Sequence, residues 1–345
     1  MGRPYAMLRA GFPYLRTIGV KGMVDDPVDM AFGSEDRLYV LGAIIKVLTL
    51  DHEVLGTIGT RVTDAKVGRE GLHFPIQDGG LFQPCQVVTD SEGNLYVSDE
   101  AVHRITAFAD DGAVLGVWGE HGSEDGQLNK PSGLACDTAD NIFVVDTLNH
   151  RVQKFTKDGR FLTNWGRYGT GEGEFRMPWG IALDADGNVY VADWRNDRVQ
   201  KFTADGDFIF QFGKTGRGDG EFLRPAGLAV DSDYDIYVVD WGNNRVQLFN
   251  PDGRYVEKFL GDATMSEPAI AALRTRLRTA RIRDSAPLEY ERRFRGPKSV
   301  RVDDENRMFV PDYESYRIQV YQKHAMQLEP HQLGPPLKAP TLSSN

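Results

Sequence analysis

The sequence predicts an all-β chain folded as a six-bladed β-propeller, and three observations predict it. Four segments align without a gap, each 47 residues after the one before. Two weaker copies flank them, which makes six. Within each copy the apolar residues follow the two-residue period of strands, with no helical period. The four strong copies are QPCQVVTDSEGNLYVSDEAVHRITAF, KPSGLACDTADNIFVVDTLNHRVQKF, MPWGIALDADGNVYVADWRNDRVQKF and RPAGLAVDSDYDIYVVDWGNNRVQLF. Their prolines are Pro84, Pro131, Pro178 and Pro225. Asp99, Asp146, Asp193 and Asp240 keep the same step, as do Arg104, Arg151, Arg198 and Arg245. The first weak copy opens at Pro27. The last opens at Pro297, with Asp312 and Arg317 in register.

Each copy reads as four strands, the content of one propeller blade. A short apolar run such as GIALD follows the proline and suits an inner strand buried on both faces. A turn at Gly187-Asn188 leads to NVYVAD, which alternates and is rich in β-branched and aromatic residues. RVQKF is the third strand. A turn at Ala204-Asp205-Gly206 leads to the fourth, FIFQFG. The last copy stops after its third strand, at Tyr321, while the N-terminal YLRTIGV matches the outer strands of other copies. Residues near Leu15–Val20 are therefore expected to complete blade six and close the ring, leaving no open edge there. This gives one propeller over residues 1–324, an insertion over 262–295, and a Pro-rich, aperiodic tail over 325–345 expected to be extended or disordered.

The unit P-x-G-(I/L)-A-x-D-x-x-x-(N/D)-(I/V)-(Y/F)-V-x-D-x-x-N-x-R-V-Q-x-F resembles the NHL repeat. The resemblance spans roughly residues 14–322 and is most specific in blades two to five. It implies a six-bladed propeller. It does not imply one function, because proteins of this kind include RNA-binding domains, protein-interaction platforms and lyases such as the peptidyl-hydroxyglycine α-amidating lyases. Function has to be argued from the site.

Composition narrows the classes. The formal charge of −10 disfavours nucleic acid as the partner of the molecule as a whole, since phosphate binding rests on clustered Lys and Arg. No apolar run approaches the roughly 18 residues that mark a membrane span. The N-terminal stretch is broken by Arg9, Gly11, Pro13 and Arg16, unlike a secretory leader. Two cysteines, Cys85 and Cys136, make no disulfide framework. A cytoplasmic location is the expectation.

Recurrent polar residues read as scaffold. The pairs Asp146/Arg151, Asp193/Arg198 and Asp240/Arg245 recur blade after blade, as expected of a carboxylate that caps a turn with an arginine reaching back to it. Blade one has Gly42 and Lys46 there and lacks the pairing. The glycine strings Gly166, Gly169, Gly171, Gly173 and Gly213, Gly216, Gly218, Gly220 precede strands, so they read as tight crossovers and not as nucleotide loops. His103 and His150 occupy equivalent positions. No zinc-type spacing and no nucleophile elbow is present, so no metal, cofactor or catalytic residue is assigned.

Residues that break the repeat carry the functional signal. Directly after the repeat Asp stand Glu100, Thr147, Trp194, Trp241 and Tyr313. Directly after the repeat Pro stand Cys85, Ser132, Trp179, Ala226 and Lys298. Trp179, Trp194, Trp241 and Tyr313, with Arg195 and Lys298, are expected to form an aromatic arc on the loop face of blades four to six. The interval between Pro27 and Pro84 carries 10 residues beyond the period, and that between Pro225 and Pro297 carries 25. In the second, Ser266-Glu267-Pro268 is a helix start. AIAALRTRLRTARIR continues it, with Ile270, Leu273, Leu277 and Ala280 on one stripe and Arg274, Arg276, Arg278, Arg281 and Arg283 mostly off it. Arg274, Arg278 and Arg281 are expected to join the arc in one binding region. The function expected is a binding or scaffold propeller that holds a protein partner or a small anionic ligand on its loop face. The alternative is a lyase or hydrolase acting at the mouth of the central channel.

Overall fold

A computed structural model describes residues 7–62, 66–68, 71–73, 79–274 and 291–327. Six four-stranded antiparallel sheets make the blades. Blade four is typical: Pro178–Leu183 innermost, then Val189–Asp193, Arg198–Phe202 and Phe208–Phe212 outermost. Its second strand is buried along its whole length, and its outer strand alternates. The outermost strand of blade six is Tyr14–Ile18, paired antiparallel with Arg317–Gln322. The chain start thus closes the ring. The strand stops at Ile18, two residues short of the expected Val20, because Gly19 turns away with φ +89° and a side chain there would run into Val24. A second pairing backs the first: Met7–Gly11 with His324–Gln327. The first residues of the expected tail are therefore strand.

The core lies between blades. Among the described residues, six apolar clusters each join one blade to the next. Phe143, Val145, Val152 and Trp165 of blade three, for example, meet Ile181, Val189, Val191 and Phe202 of blade four. Each fully buried side chain of this size stabilises the fold by about 1.5–3 kcal/mol. The closing junction has a core of its own, where Ile18, Phe309, Ile318 and Val320 pack on Met30, Leu38, Val40 and Leu48.

Close approach of the inner strands explains the glycine of the P-x-G motif. A Cβ on Gly133 would collide with the Trp179 carbonyl, and one on Gly180 with the Ala226 carbonyl. Blades six, one and two carry Ser299, Asp29 and Gln86 at this position instead. Here polar side chains fill the wider gap. Asp29 accepts from Ser299 Oγ, from the Arg301 guanidinium and from Val87 N, while Gln86 Oε1 accepts from Leu134 N.

The insertion between blades five and six forms the helix Glu267–Arg274. The expected helix start at Ser266-Glu267-Pro268 stands, but the Ser266 hydroxyl does not cap it. The Ser266 carbonyl accepts from Ile270 N at 3.0 Å, while its hydroxyl donates to the Gly19 carbonyl at 2.7 Å. The hydroxyl is spent tying the helix to the closing strand. Arg276, Leu277, Arg278, Ala280, Arg281 and Arg283 lie outside the described residues.

Candidate functional site

The loop face is built from the turns between second and third strands and from the links that enter each blade. The repeat Asp organises both. Asp193 Oδ1 accepts from Arg176 N at 2.8 Å. Its Oδ2 accepts from Asn196 Nδ2 at 2.8 Å, Arg198 Nε at 2.9 Å and Gln200 Nε2 at 3.3 Å. Arg198 then reaches the carbonyls of Thr170, Gly171 and Glu174 in the link. Blades three, five and six repeat the Asp–Arg pair at 2.7–2.9 Å. Burial outweighs these donors and pushes the carboxyls of Asp193, Asp240 and Asp312 above their ordinary value. Blade one lacks the pair, as expected, yet Lys46 does the same work from a shorter turn. Its Nζ meets the Gly22 carbonyl at 2.7 Å and Asp25 at 2.9 Å.

Gln153, Gln200 and Gln247 complete the clamp, a role the sequence reading missed. Each accepts through Oε1 from a link glycine, Gly126, Gly173 or Gly220, at 3.0 Å. All three glycines have positive φ. The glycine strings are thus crossovers held by the following blade.

The histidines are structural acceptors. His103 Nδ1 accepts from Lys130 N at 3.0 Å, and His150 Nδ1 from Met177 N at 3.1 Å. Asp197 and Asn244 accept at the same place in blades four and five. Burial lowers the pKa of both histidines. Among the described residues no group of three or more His, Cys, Asp or Glu side chains could hold a metal. Burial pushes the Cys85 thiol up and that of Cys136 to about 12, so neither offers a thiolate at neutral pH.

Some of the residues that break the repeat line a cavity of about 330 Å³ at the channel mouth. Trp179, Lys298 and Tyr313 line it, together with Cys85 and Glu100 of blade two and Asp26 ahead of blade one. Lys298 Nζ sits 3.8 Å from the centre of the Tyr313 ring. Burial lowers its pKa. The other expected arc residues extend outward from this mouth. The rings of Trp194 and Trp179 are 6.3 Å apart. The Arg195 and Arg224 guanidiniums lie 4.7 and 5.0 Å from the centre of Trp194, and Arg224 also lies 6.0 Å from Trp241. Arg224 is the bridging residue the sequence reading did not single out.

The helix is placed elsewhere. Its residues Ala269 and Ile270 line a separate cavity of about 520 Å³ with Lys21, Thr264, Ser315 and Tyr316, beside the closing strand. Arg274 ends the helix, while Arg278 and Arg281 lie outside the described residues. The described part of the helix therefore does not line the mouth.

These features define a six-bladed propeller with a clamped loop face and a polar, aromatic channel mouth. The NHL repeat model matches residues 128–155, and a family described as a 6-bladed beta-propeller matches residues 182–265, which supports a propeller of NHL-type repeats. No curated protein matches it in sequence. Among solved structures it is similar to an inactive virginiamycin B lyase from Staphylococcus aureus with quinupristin. There the identity is 12% and the TM-score 0.54, over 91% of this chain and 88% of that one. A gluconolactonase from Xanthomonas campestris gives 13% and 0.57, over 92% and 100%. An auxiliary nutrient binding protein from Bacteroides thetaiotaomicron gives 12% and 0.59, over 91% and 73%. At such identities the likeness is one of fold alone.

Proposed function

We propose that this is a binding propeller that takes a small ligand with an anionic group at the mouth of its channel. One observation carries the reading. Lys298 lines the cavity half-buried, and among the described residues no carboxylate comes within the 4.0 Å of an ion pair. A partly desolvated ammonium whose main contact is an aromatic face is poorly compensated, and an incoming carboxylate or phosphate would supply the missing charge. The cavity falls at the small end of the roughly 300–1,000 Å³ typical of ligand sites. Trp179 and Tyr313 would provide contact area. Trp194, Trp241 and Arg195 would extend the surface for a larger ligand or a protein segment.

The test is a thermal-shift screen of a metabolite set on the wild type and on Lys298→Met. Anionic compounds are expected to stabilise the wild type and to lose most of that effect in the variant. Equal stabilisation of both proteins by every active compound would sink the reading.

A further inference from the structure

Lys298 is not alone in this cavity in having no ion-pair partner within 4.0 Å among the described residues. Glu100 stands at the position after the repeat Asp, where other blades carry Thr147, Trp194, Trp241 and Tyr313. It lines the same mouth and is half-buried. Among the described residues its carboxylate makes no ion pair within 4.0 Å; its backbone N–H is what bonds, to the Gln83 carbonyl at 3.1 Å. Lys298 and Glu100 therefore share one cavity of about 330 Å³ without reaching each other.

Two opposite charges left in one half-desolvated space would ordinarily collapse onto each other. Here the frame prevents it. Lys298 follows Pro297 in blade six and is drawn to the Tyr313 ring. Glu100 sits on the blade-two turn fixed by Asp99, whose carboxylate takes the N–H groups of Phe82, Gln83 and Ala101. Cys85, which also lines the mouth, is held up as a neutral thiol by burial and by Glu100 and Asp99, so it adds no charge of its own. Asp26 and Arg61 lie at the rim, and both are exposed.

The geometry points to a zwitterion of amino-acid size as the ligand class, its anionic end on Lys298, its ammonium on Glu100 and its body against Trp179. This rests on the mouth being the ligand site, and deepens that reading by adding the second charge. A ligand with both ends compensates both residues. A simple anion would leave Glu100 unpaired and be repelled by it, so the pair also sets specificity.

The experiment measures binding of the common L-amino acids, and of their N-acetyl and amide forms, by calorimetry. The proteins are the full chain, Glu100→Gln and Lys298→Met. Both substitutions keep side-chain size. For at least one amino acid, blocking the amine or the carboxylate is expected to weaken wild-type binding by about tenfold or more, as for loss of a desolvated charge contact. Glu100→Gln should abolish the preference for the unblocked amine while keeping that for the carboxylate. Lys298→Met should do the reverse. If N-acetyl forms bind the wild type as tightly as the parent amino acids, if Glu100→Gln discriminates as the wild type does, or if no amino acid binds, the zwitterion inference is overturned. Anions that still bind in a Lys298-dependent manner would leave the simpler reading standing. Loss of that dependence as well would remove both.

Discussion

Asp193 and Trp194 are neighbours in sequence with opposite parts in the structure. Asp193 is fully buried and takes four donors from the turn, the strand and the link. Trp194 is half-exposed and stacks on Trp179 and two guanidiniums. Asp193→Ala would strand the Arg198 charge, although three link carbonyls would still hold it. A loss of about 2–4 kcal/mol in denaturant unfolding is expected. Trp194→Ala is expected to cost less. The reverse order would make the indole a core residue and Asp193 a bystander. The Asp–Arg pair could be read from sequence because it recurs at fixed spacing. Glu100 and Lys298 were visible as breaks in two columns of the repeat. That they line one cavity was not, because a ring brings residues almost 200 positions apart to the same channel mouth, and spacing along the chain says nothing about distance across a channel.

On the loop face the turns of blades three to five are complete two-sided clips. Asp, Asn, Arg and Gln hold the link that enters the blade, and the residue just before the third strand holds the link that leaves it. In blades two and three that residue is a histidine that accepts a hydrogen bond, which it does only when neutral. The folded pKa of His103, near His121, Lys130 and Asp99, and that of His150, near Asp193 and Asp146, are both lowered by burial. The unfolded chain therefore takes up these protons first. The stability they contribute is full above the unfolded value of about 6.5 and is lost as pH falls below it toward the depressed folded values. Replacing both by Asn, the residue that blade five uses at Asn244, should remove this sensitivity. Urea unfolding of both proteins from pH 7.5 to 5.5 checks it. The gap between their stabilities should change as pH drops; a constant gap would assign the acid response to other groups. The sequence shows the glycine strings as crossovers and gives no metal spacing for the histidines. The clip that joins them could not be read beforehand, because its halves lie 27 residues apart.

At the scale of the molecule, the ring depends on its two ends. Deleting residues 1–20 removes the outer strand of blade six, the Met7–Gly11 pairing and the Gly19 carbonyl that holds Ser266. Aggregation or a clear drop in Tm is expected, and a truncated chain that melts like the intact one would refute closure by the first strand. Lys323 makes a second tie. In blades three and four, Lys154 and Lys201 neutralise the carboxylate that ends their own first strand, Asp137 or Asp184. Blade five has Leu248 in that column, and Lys323 arrives from beyond blade six to meet Asp231, Asp233 and Asp235 at 2.6–2.9 Å. Lys323→Met would leave these carboxylates clustered, two of them buried, and should destabilise by about 3–5 kcal/mol. Asp231→Asn added to it should recover part of the loss, measured by calorimetric melting. The repeat showed the six blades and the closing strand, but not this tie, since Lys323 lies outside the repeat unit.

The position of Tyr14–Ile18 also bears on how the protein is made. This strand leaves the ribosome before blades one to five, and its partner, Arg317–Gln322, leaves after them. Over that interval the segment travels without its mate, with Leu15 and Ile18 apolar and unpaired, while blades one to five form behind it. An early outer strand of a different blade offers it a wrong edge, and two nascent chains on one polysome offer each other the right one. A ring closed in this way trades a stable finished product for a long vulnerable interval, and holding factors that bind extended apolar segments are the natural remedy.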